Sequence, residues 1–320
     1  HKSLVRWGIM HTRFWSSLRQ SNPRYGKCTR QNQHSLTTES LNRRVNTTID
    51  SNGVARVELA RPEKLNALDL YMFQGLVQEA KKLRDNTSIR AVIISGKGRA
   101  FCTGLDIASF LPPQNMSSPV TTLETLLARP DGVKSNLVQD VAYLWRQLQV
   151  PVVAVVHGMC YGGGLQIALG ADFRFCDPSC KFSVMESKWG LIPDMSASIT
   201  LRELVRADVA KELAMTGRIV MGVEAASLGL VTRCCEQPME EAEKLVADIL
   251  TKSPDAIAKV KQLFQTTWVT PEEDCLKIET DLQRELLPTW NQLAASGRNF
   301  GLKLPYSSRK EDADKTDLEK

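Results

Sequence analysis

Three stretches of this chain carry residue types at spacings that suit proton transfer beside a stabilised oxyanion. The first is Phe101-Cys102-Thr103-Gly104-Leu105-Asp106-Ile107, and the second is Gly158-Met159-Cys160-Tyr161-Gly162-Gly163-Gly164-Leu165-Gln166. Both follow short apolar runs and bend at glycine, which lets a bound group approach the backbone closely. The second turn leads into a helix, whose first N–H groups lack internal partners and carry partial positive charge. One N–H from each turn, converging on a carbonyl oxygen, would stabilise an enolate. Loss of one such donor costs roughly 2.7–4 kcal/mol of transition-state stabilisation. The third stretch is FSVMESKWGLIPD, residues 182–194, with Glu186 and Asp194 on either side of a bend at Gly190 and Pro193. Their spacing fixes no common helical face, but a folded loop can bring both acids to one pocket. There a carboxyl pair can move a proton between separated carbons. The plainer alternatives are two tight turns without a ligand, Glu186 as a satisfied structural acid, and Asp194 as the N-cap of a helix over 195–204.

The elements that must hold these stretches read as an alternation of strands and helices. Val54, Val57 and Leu59 mark a β-like stretch closed by Arg61-Pro62. Residues 68–83 place Leu68, Met72, Leu76, Ala80 and Leu83 on one helical stripe. The runs IRAVIIS (89–95) and PVVAVVH (151–157) read as buried strands, each ending in a glycine-containing turn. Residues 137–148 return to helical spacing, and 165–169 read as the start of a helix. DFRFC (172–176) and KFSV (181–184) read as further short strands. Residues 111–135 hold four prolines and little periodicity, which predicts a mobile surface loop. From Ile199 the pattern is helical, with proline-marked starts near 238, 254 and 271, and 301–320 read as a loose polar tail. This order predicts an α/β core followed by a helical C-terminal part.

Composition removes several function classes. The 320 residues are 42% hydrophobic and 24% charged, without an apolar run long enough to span a membrane. The eight cysteines include no CxxC pair, and His157 is the only histidine after residue 34, so the chain offers no zinc pattern and no metal site is expected. GxGxxG, the phosphate-loop Lys-Ser/Thr and GxSxG are all absent, which removes support for a dinucleotide fold, a nucleotide phosphate loop and a serine hydrolase. Cys102 and Cys160 read as buried filler, and His157 as turn support. The net charge of +5 comes from residues 1–44, which hold nine Lys/Arg and a single acid, Glu39, so residues 45–320 carry −3. That basic, Ser/Thr-rich segment predicts a mitochondrial transit peptide and a matrix location; the alternative is a basic arm for nucleic acid. The C-terminal DLEK is unlike a peroxisomal SKL signal.

The quoted blocks resemble a known family. FCTGLDI, HGMCYGGGLQIALGADFRF and FSVMESKWGLIPD, with VELARPEKLNAL (57–68) before them and TGRIVMGVEAASLGLV (216–231) after, are similar to the enoyl-CoA hydratase/isomerase, or crotonase, family over about residues 45–300. The resemblance implies an α/β spiral of ββα units in residues 45–245, with a helical region and polar tail at 246–320 that assembles a homotrimer or homohexamer. It implies a fatty acyl-CoA substrate, with coenzyme A part of that substrate and no separate cofactor, nucleic-acid partner or metal. By the same resemblance Leu105 and Gly163 supply the oxyanion N–H groups, with Gly164 adjacent, and Thr103, Gly104, Asp106 and Ile107 border the coenzyme A moiety.

The family's hydratases use two glutamates. Here the first falls on Gln166, which cannot ionise, and the second on Glu186. Enoyl-CoA isomerases manage with one acid at the Glu186 position, and dienoyl-CoA isomerases add an aspartate at the position of Asp194 and another where this chain has Gln166, so Gln166 departs from both that group and the hydratases. The sequence therefore points to an acyl-CoA isomerase of the dienoyl type, with Glu186 and Asp194 as the catalytic acids and Gln166 as polar support for a partner carboxyl. Hydratase or other enolate chemistry in the same family is the second reading. A silent or RNA-binding protein of this fold is the third.

Overall fold

A computed structural model describes residues 44–110 and 126–310, and all of them belong to the unit spanning Thr37–Lys320. The segment expected to be a transit peptide lies outside the described residues except for Arg44. Most of the expected loop at 111–135 and the last ten residues lie outside them too.

Nine strands form two sheets among the described residues. The larger joins β1 (Val45–Ile49), β2 (Val54–Leu59), β3 (Ala91–Gly96), β4 (Val152–Val156), β6 (Phe173–Cys176) and β9 (Arg233–Cys234), in the order β1-β2-β3-β4-β6-β9. Only the β1–β2 hairpin is antiparallel, and the other pairs are parallel. Parallel strands need crossovers, which are supplied by α1 (Leu70–Asp85) after β2, by α2 (Ile107–Phe110) and α3 (Leu137–Gln147) after β3, and by α4 (Gly163–Leu169) after β4. The smaller sheet joins β5 (Met159–Tyr161), β7 (Lys181–Ser183) and β8 (Val220–Met221) in the order β5-β7-β8.

The central strands have no polar alternation because both of their faces are covered. Val92, Ile94, Val152, Ala154 and Val156 face the main core with α1 and α3 residues such as Met72, Leu76, Val141 and Trp145. Their neighbours Ala91, Ile93, Val153 and Val155 pack on the opposite side against Ala242 and Val246 of α8 (Pro238–Leu250). Each fully buried Val, Ile or Leu side chain contributes about 1.5–3 kcal/mol relative to exposure. α1 starts at Leu70 rather than Leu68, because Asp69 takes the N-cap and accepts the Met72 N–H at 2.9 Å. α3 opens on a reciprocal cap between Asn136 and Gln139.

After β7 and the Glu186–Trp189 turn, the regular structure is helical except for the two-residue strands β8 and β9: α5 (Ala197–Leu204), α6 (Ala207–Thr216), α7 (Gly222–Leu228), α8, α9 (Pro254–Thr267), α10 (Glu272–Leu286) and α11 (Trp290–Asn299). Residues 305–310 depart from the expected loose tail. Asn291 on α11 exchanges hydrogen bonds with Ser307, the Lys310 N–H donates to Asp255, and Arg309 is buried. Polar composition alone conceals this docking, because the bonds run through the tail's backbone. Arg44, grouped by composition with the basic segment, pairs with Asp69 at 2.8 Å and is part of the folded body.

Candidate active site

The first glycine turn is held by residues 61–68. Asn66 is buried in the left-handed region at φ 56°. Its Nδ2 donates to the carbonyls of Lys97, Ala100 and Phe101 at 2.8–3.1 Å, and its Oδ1 accepts the Arg61 N–H at 2.8 Å. Leu68 then pairs with Leu105 in a parallel bridge. The Leu68 N–H donates to the Gly104 carbonyl at 2.8 Å, and the Leu68 carbonyl accepts the Asp106 N–H at 2.9 Å. In such a pairing the bonds fall on the residues flanking Leu105, so its own N–H faces away from Leu68. That N–H has no acceptor among the described residues. Arg61 fixes the far side of the turn through a 2.8 Å ion pair with Asp106. Burial raises the Asp106 carboxyl, but hydrogen bonds from Ser109 and Arg61 outweigh it and hold the group below its ordinary value.

The second turn lies directly against the first. Phe101 and Cys102 donate their N–H groups to the carbonyls of His157 and Met159, and Tyr161 returns an N–H to Cys102. The expected glycine turn thus contains a short strand, β5, which pairs with β7 on one side and bridges to Cys102 of the first turn on the other. Gly164 permits the close approach: a Cβ there would lie 2.3 Å from the Cys102 carbonyl oxygen. Gly104, at φ +86°, is equally confined, since its Cβ would meet Tyr161 O at 2.9 Å and Gly163 N at 3.3 Å. Gly163 is the first residue of α4, and its N–H also has no acceptor among the described residues. The two unpaired N–H groups expected from sequence therefore belong to adjoining segments.

Glu186 stands beside them. A Cβ on Gly162 would lie 3.4 Å from its Oε1. Glu186 is 9% exposed and opens a 3-10 turn, Glu186–Trp189. Oε1 accepts the Nε2 donor of Gln166 at 2.6 Å, whereas Oε2 is buried without a hydrogen-bond partner among the described residues. Burial pushes the Glu186 carboxyl above its ordinary value and the charge of Asp194 adds to that, against hydrogen bonding from backbone N–H groups and Gln166. The satisfied-acid alternative is thus half true, because one oxygen is paired and the other is not. Asp194 is exposed at the rim, and desolvation raises its carboxyl as well. It is not a helix cap: α5 begins at Ala197 with Ser196 at the N-cap. Gln166, buried on α4, bonds both sides of the site, because its Oε1 accepts the Met195 N–H at 2.7 Å.

Of the remaining expected residues, Thr103 donates its N–H to Leu65 O, and Ile107 begins α2. His157 ties the neighbouring turn through a 2.9 Å bond between Nε2 and Gly98 O. Cys102 and Cys160 are fully buried, and burial pushes the Cys102 thiol up to about 12, which leaves no thiolate at neutral pH. Sequence reading missed Arg61, Asn66 and Leu68 as the frame of the first turn. Their visible signal was the ARPEKLNAL stretch, read there only as punctuation and resemblance. A cavity of about 440 Å³ opens elsewhere, between α9 and the β4–α4–β6 edge, and shares no residue with these turns or with Glu186. Its charged side chains are already engaged, Lys261 with Asp172, Arg146 with Glu203, and Arg174 with the carbonyls of Leu230 and Ala171. The paired, largely apolar lining offers no group for proton transfer, so the chemistry is assigned to the turns. No group of side chains among the described residues could hold a metal ion.

Comparison with known proteins identifies the family. Residues 50–294 match the family model described as Enoyl-CoA hydratase/isomerase. YngF of Bacillus subtilis is 31% identical over 248 residues, covering 76% of this chain and 89% of its own. A carnitinyl-CoA dehydratase of Salmonella typhi is 30% identical over 224 residues, covering 69% of this chain and 80% of its own. A Thermobifida fusca protein crystallised with acetoacetyl-CoA superposes with a TM-score of 0.68 at 27% identity, covering 78% of this chain and 97% of the other. The α/β body with its helical C-terminal region is the crotonase fold. Its family is now evident from residues as well as shape: this chain belongs to the enoyl-CoA hydratase/isomerase family.

Proposed function

We propose that the protein is an acyl-CoA isomerase that shifts a double bond of an unsaturated fatty acyl-CoA through a thioester enolate, in the manner of the dienoyl-CoA isomerases. The observation that carries this is the unpartnered Oε2 of buried Glu186, set beside the unpaired N–H groups of Leu105 and Gly163. In the reaction, a C–H bond next to the conjugated system breaks and its proton goes to one of the two acids, with Glu186 as the base of choice. The electron pair enters the π system, and the charge collects on the thioester oxygen, which the two N–H groups hold. The other acid, Asp194, enters this step protonated and gives that proton to a different carbon; the proton left on Glu186 then passes back to Asp194 to reset the pair, and the double bonds shift without net redox change. A carboxyl raised by burial suits this exchange, since burial makes its protonated form easier to reach.

Thr103, Gly104, Asp106 and Ile107 border the coenzyme A moiety in this reading. Arg61 already holds the Asp106 carboxylate, so the turn meets substrate through its backbone. Coenzyme A arrives with the substrate, and the reaction needs no separate cofactor.

Hydration or dehydration of the acyl-CoA is the second reading. The carnitinyl-CoA dehydratase similarity favours it, and Gln166 weighs against it because an amide cannot share activation of water as a second carboxylate would. Purified protein assayed with 3,5-dienoyl-CoA, 3-enoyl-CoA and 2-enoyl-CoA separates the two. Dominant hydration of the 2-enoyl substrate overturns the isomerase reading.

The reading extends to a mitochondrial matrix enzyme that assembles as a homotrimer or homohexamer. The transit reading rests on the composition of residues 1–44, which precede the matched span, while the relatives named above are bacterial. Exposed Phe264, Trp268, Leu276 and Trp290 on the C-terminal helices supply apolar surface for assembly. Light scattering and the mass of the mature N-terminus test these two points.

A further inference from the structure

Gln166 meets both sides of the site with opposite ends of one amide. Its Oε1 accepts the Met195 N–H at 2.7 Å, and its Nε2 donates to Oε1 of Glu186 at 2.6 Å. A backbone N–H can only donate, and a side-chain amide has one accepting and one donating end. Turned over, the amide would set its NH2 against the Met195 N–H and its oxygen against the Glu186 carboxyl. Met195 therefore decides which end faces Glu186. Gln166 is 2% exposed, so water cannot stand in for either bond.

We propose that Gln166 is a positioning residue for Glu186: by always presenting its NH2 to Oε1, it leaves Oε2 as the single oxygen through which that carboxyl takes or gives a proton, and the same amide locks the loop bearing Asp194 against it. The inference rests on Glu186 being the acid/base group proposed above. Whichever way a proton moves, the O–H bond of Glu186 forms and breaks at Oε2, while Oε1 keeps its hydrogen bond in both protonation states. A carboxyl at position 166 would behave differently. Two facing carboxyls share a proton, and either residue could hold it.

The charges around Glu186 are few. α4 carries no ionisable side chain, and Asp194 supplies the repulsion that acts on Glu186. Lys188, on the same 3-10 turn, lies along Gly217, and Arg218 is held by Glu212 and Glu224.

Two variants of the full chain test the idea. Gln166→Met removes both bonds at similar volume. Gln166→Glu keeps an acceptor for Met195 but faces Glu186 with a second carboxyl. The Glu186 titration is read in ligand-free protein by infrared difference against Glu186→Gln, which needs no turnover. The pH profile of kcat/KM for the acyl-CoA substrate is read alongside, at a temperature below every variant's melting transition. In Gln166→Met Glu186 titrates at higher pH than in the wild type, because a donor to its charged form is lost; in Gln166→Glu the carboxyl pair keeps its last proton to higher pH, because a second negative charge is added. For Gln166→Met, kcat/KM falls about tenfold on the acid side and recovers as pH rises. For Gln166→Glu the loss extends to higher pH. An unchanged Glu186 titration in both variants overturns the positioning role, whatever happens to turnover. A moved titration in a protein that isomerises none of the substrates leaves the positioning role standing and removes the isomerase reading instead.

Discussion

Replacing Gly104 by alanine tests the oxyanion assignment without touching a titratable group. At φ +86° an L-residue carries backbone strain of about 1–2 kcal/mol. The new Cβ would also stand 2.9 Å from the Tyr161 carbonyl oxygen and 3.3 Å from Gly163 N, both backbone atoms with no side chain free to swing aside. The turn must therefore shift by a few tenths of an ångström, and the peptide that moves carries the Leu105 N–H. Misdirecting one such donor costs roughly 2.7–4 kcal/mol, a fall of about 10²–10³ in kcat. Gly53→Ala is the matched control. Its φ is +79° and its Cβ would meet Ser88 O at 2.7 Å, a comparable insult at the tip of the β1–β2 hairpin, away from the glycine turns. Both variants should melt lower, by about 2–4 °C per kcal/mol. Only Gly104→Ala should lose turnover per folded molecule, measured with saturating 3-enoyl- or 3,5-dienoyl-CoA. If Gly104→Ala keeps kcat within about threefold of the wild type, or if both variants lose it equally, the donor argument is wrong.

Glu186→Gln should lower turnover by about 10²–10⁴ while acyl-CoA still binds, as checked by calorimetric titration. The same variant has a stability signature. Folding raises the Glu186 carboxyl, so its contribution is fully present below the unfolded-state pKa and is lost as pH rises through the folded-state one. Melting temperatures across that range should therefore favour Glu186→Gln progressively as pH increases, and parallel curves would refute the raised carboxyl. Asn66→Ala strands three carbonyls and one N–H at a left-handed position and should cost about 3 kcal/mol or more in urea titration. Lys261→Met leaves Asp172 without its cation and the Val150 carbonyl without its Nζ donor; it should cost about 3–5 kcal/mol while leaving kcat unchanged, since that cavity is separate from the turns.

The parts of the fold legible in the sequence were those with strong local patterning. β3 and β4 announce themselves as uninterrupted apolar runs because both sheet faces are covered, and α1 shows its stripe because one face is not. β5, β8 and β9 stayed hidden, since such short strands carry no period and exist through their neighbours; β7, equally short, was legible through the residue types of KFSV. At the site, residue types identified Glu186, Asp194 and the two turns as candidates. What joined them was legible only in part. Gln166 was expected to support a partner carboxyl, but that it also accepts the Met195 N–H depends on α4 and the 190–196 loop meeting in space. Asn66 was invisible for the same reason, as its partners lie some thirty residues along the chain.

The Leu68–Leu105 pairing carries one more consequence. The amide that matters is free because of odd-and-even counting along the chain, and the leucine side chain, 37% exposed, contributes nothing to it. Drift at position 105 can therefore run through many residue types without disarming the enzyme. Insertion or deletion of a single residue between 102 and 105 would swap the inward and outward amides and silence it, with every acid still in place.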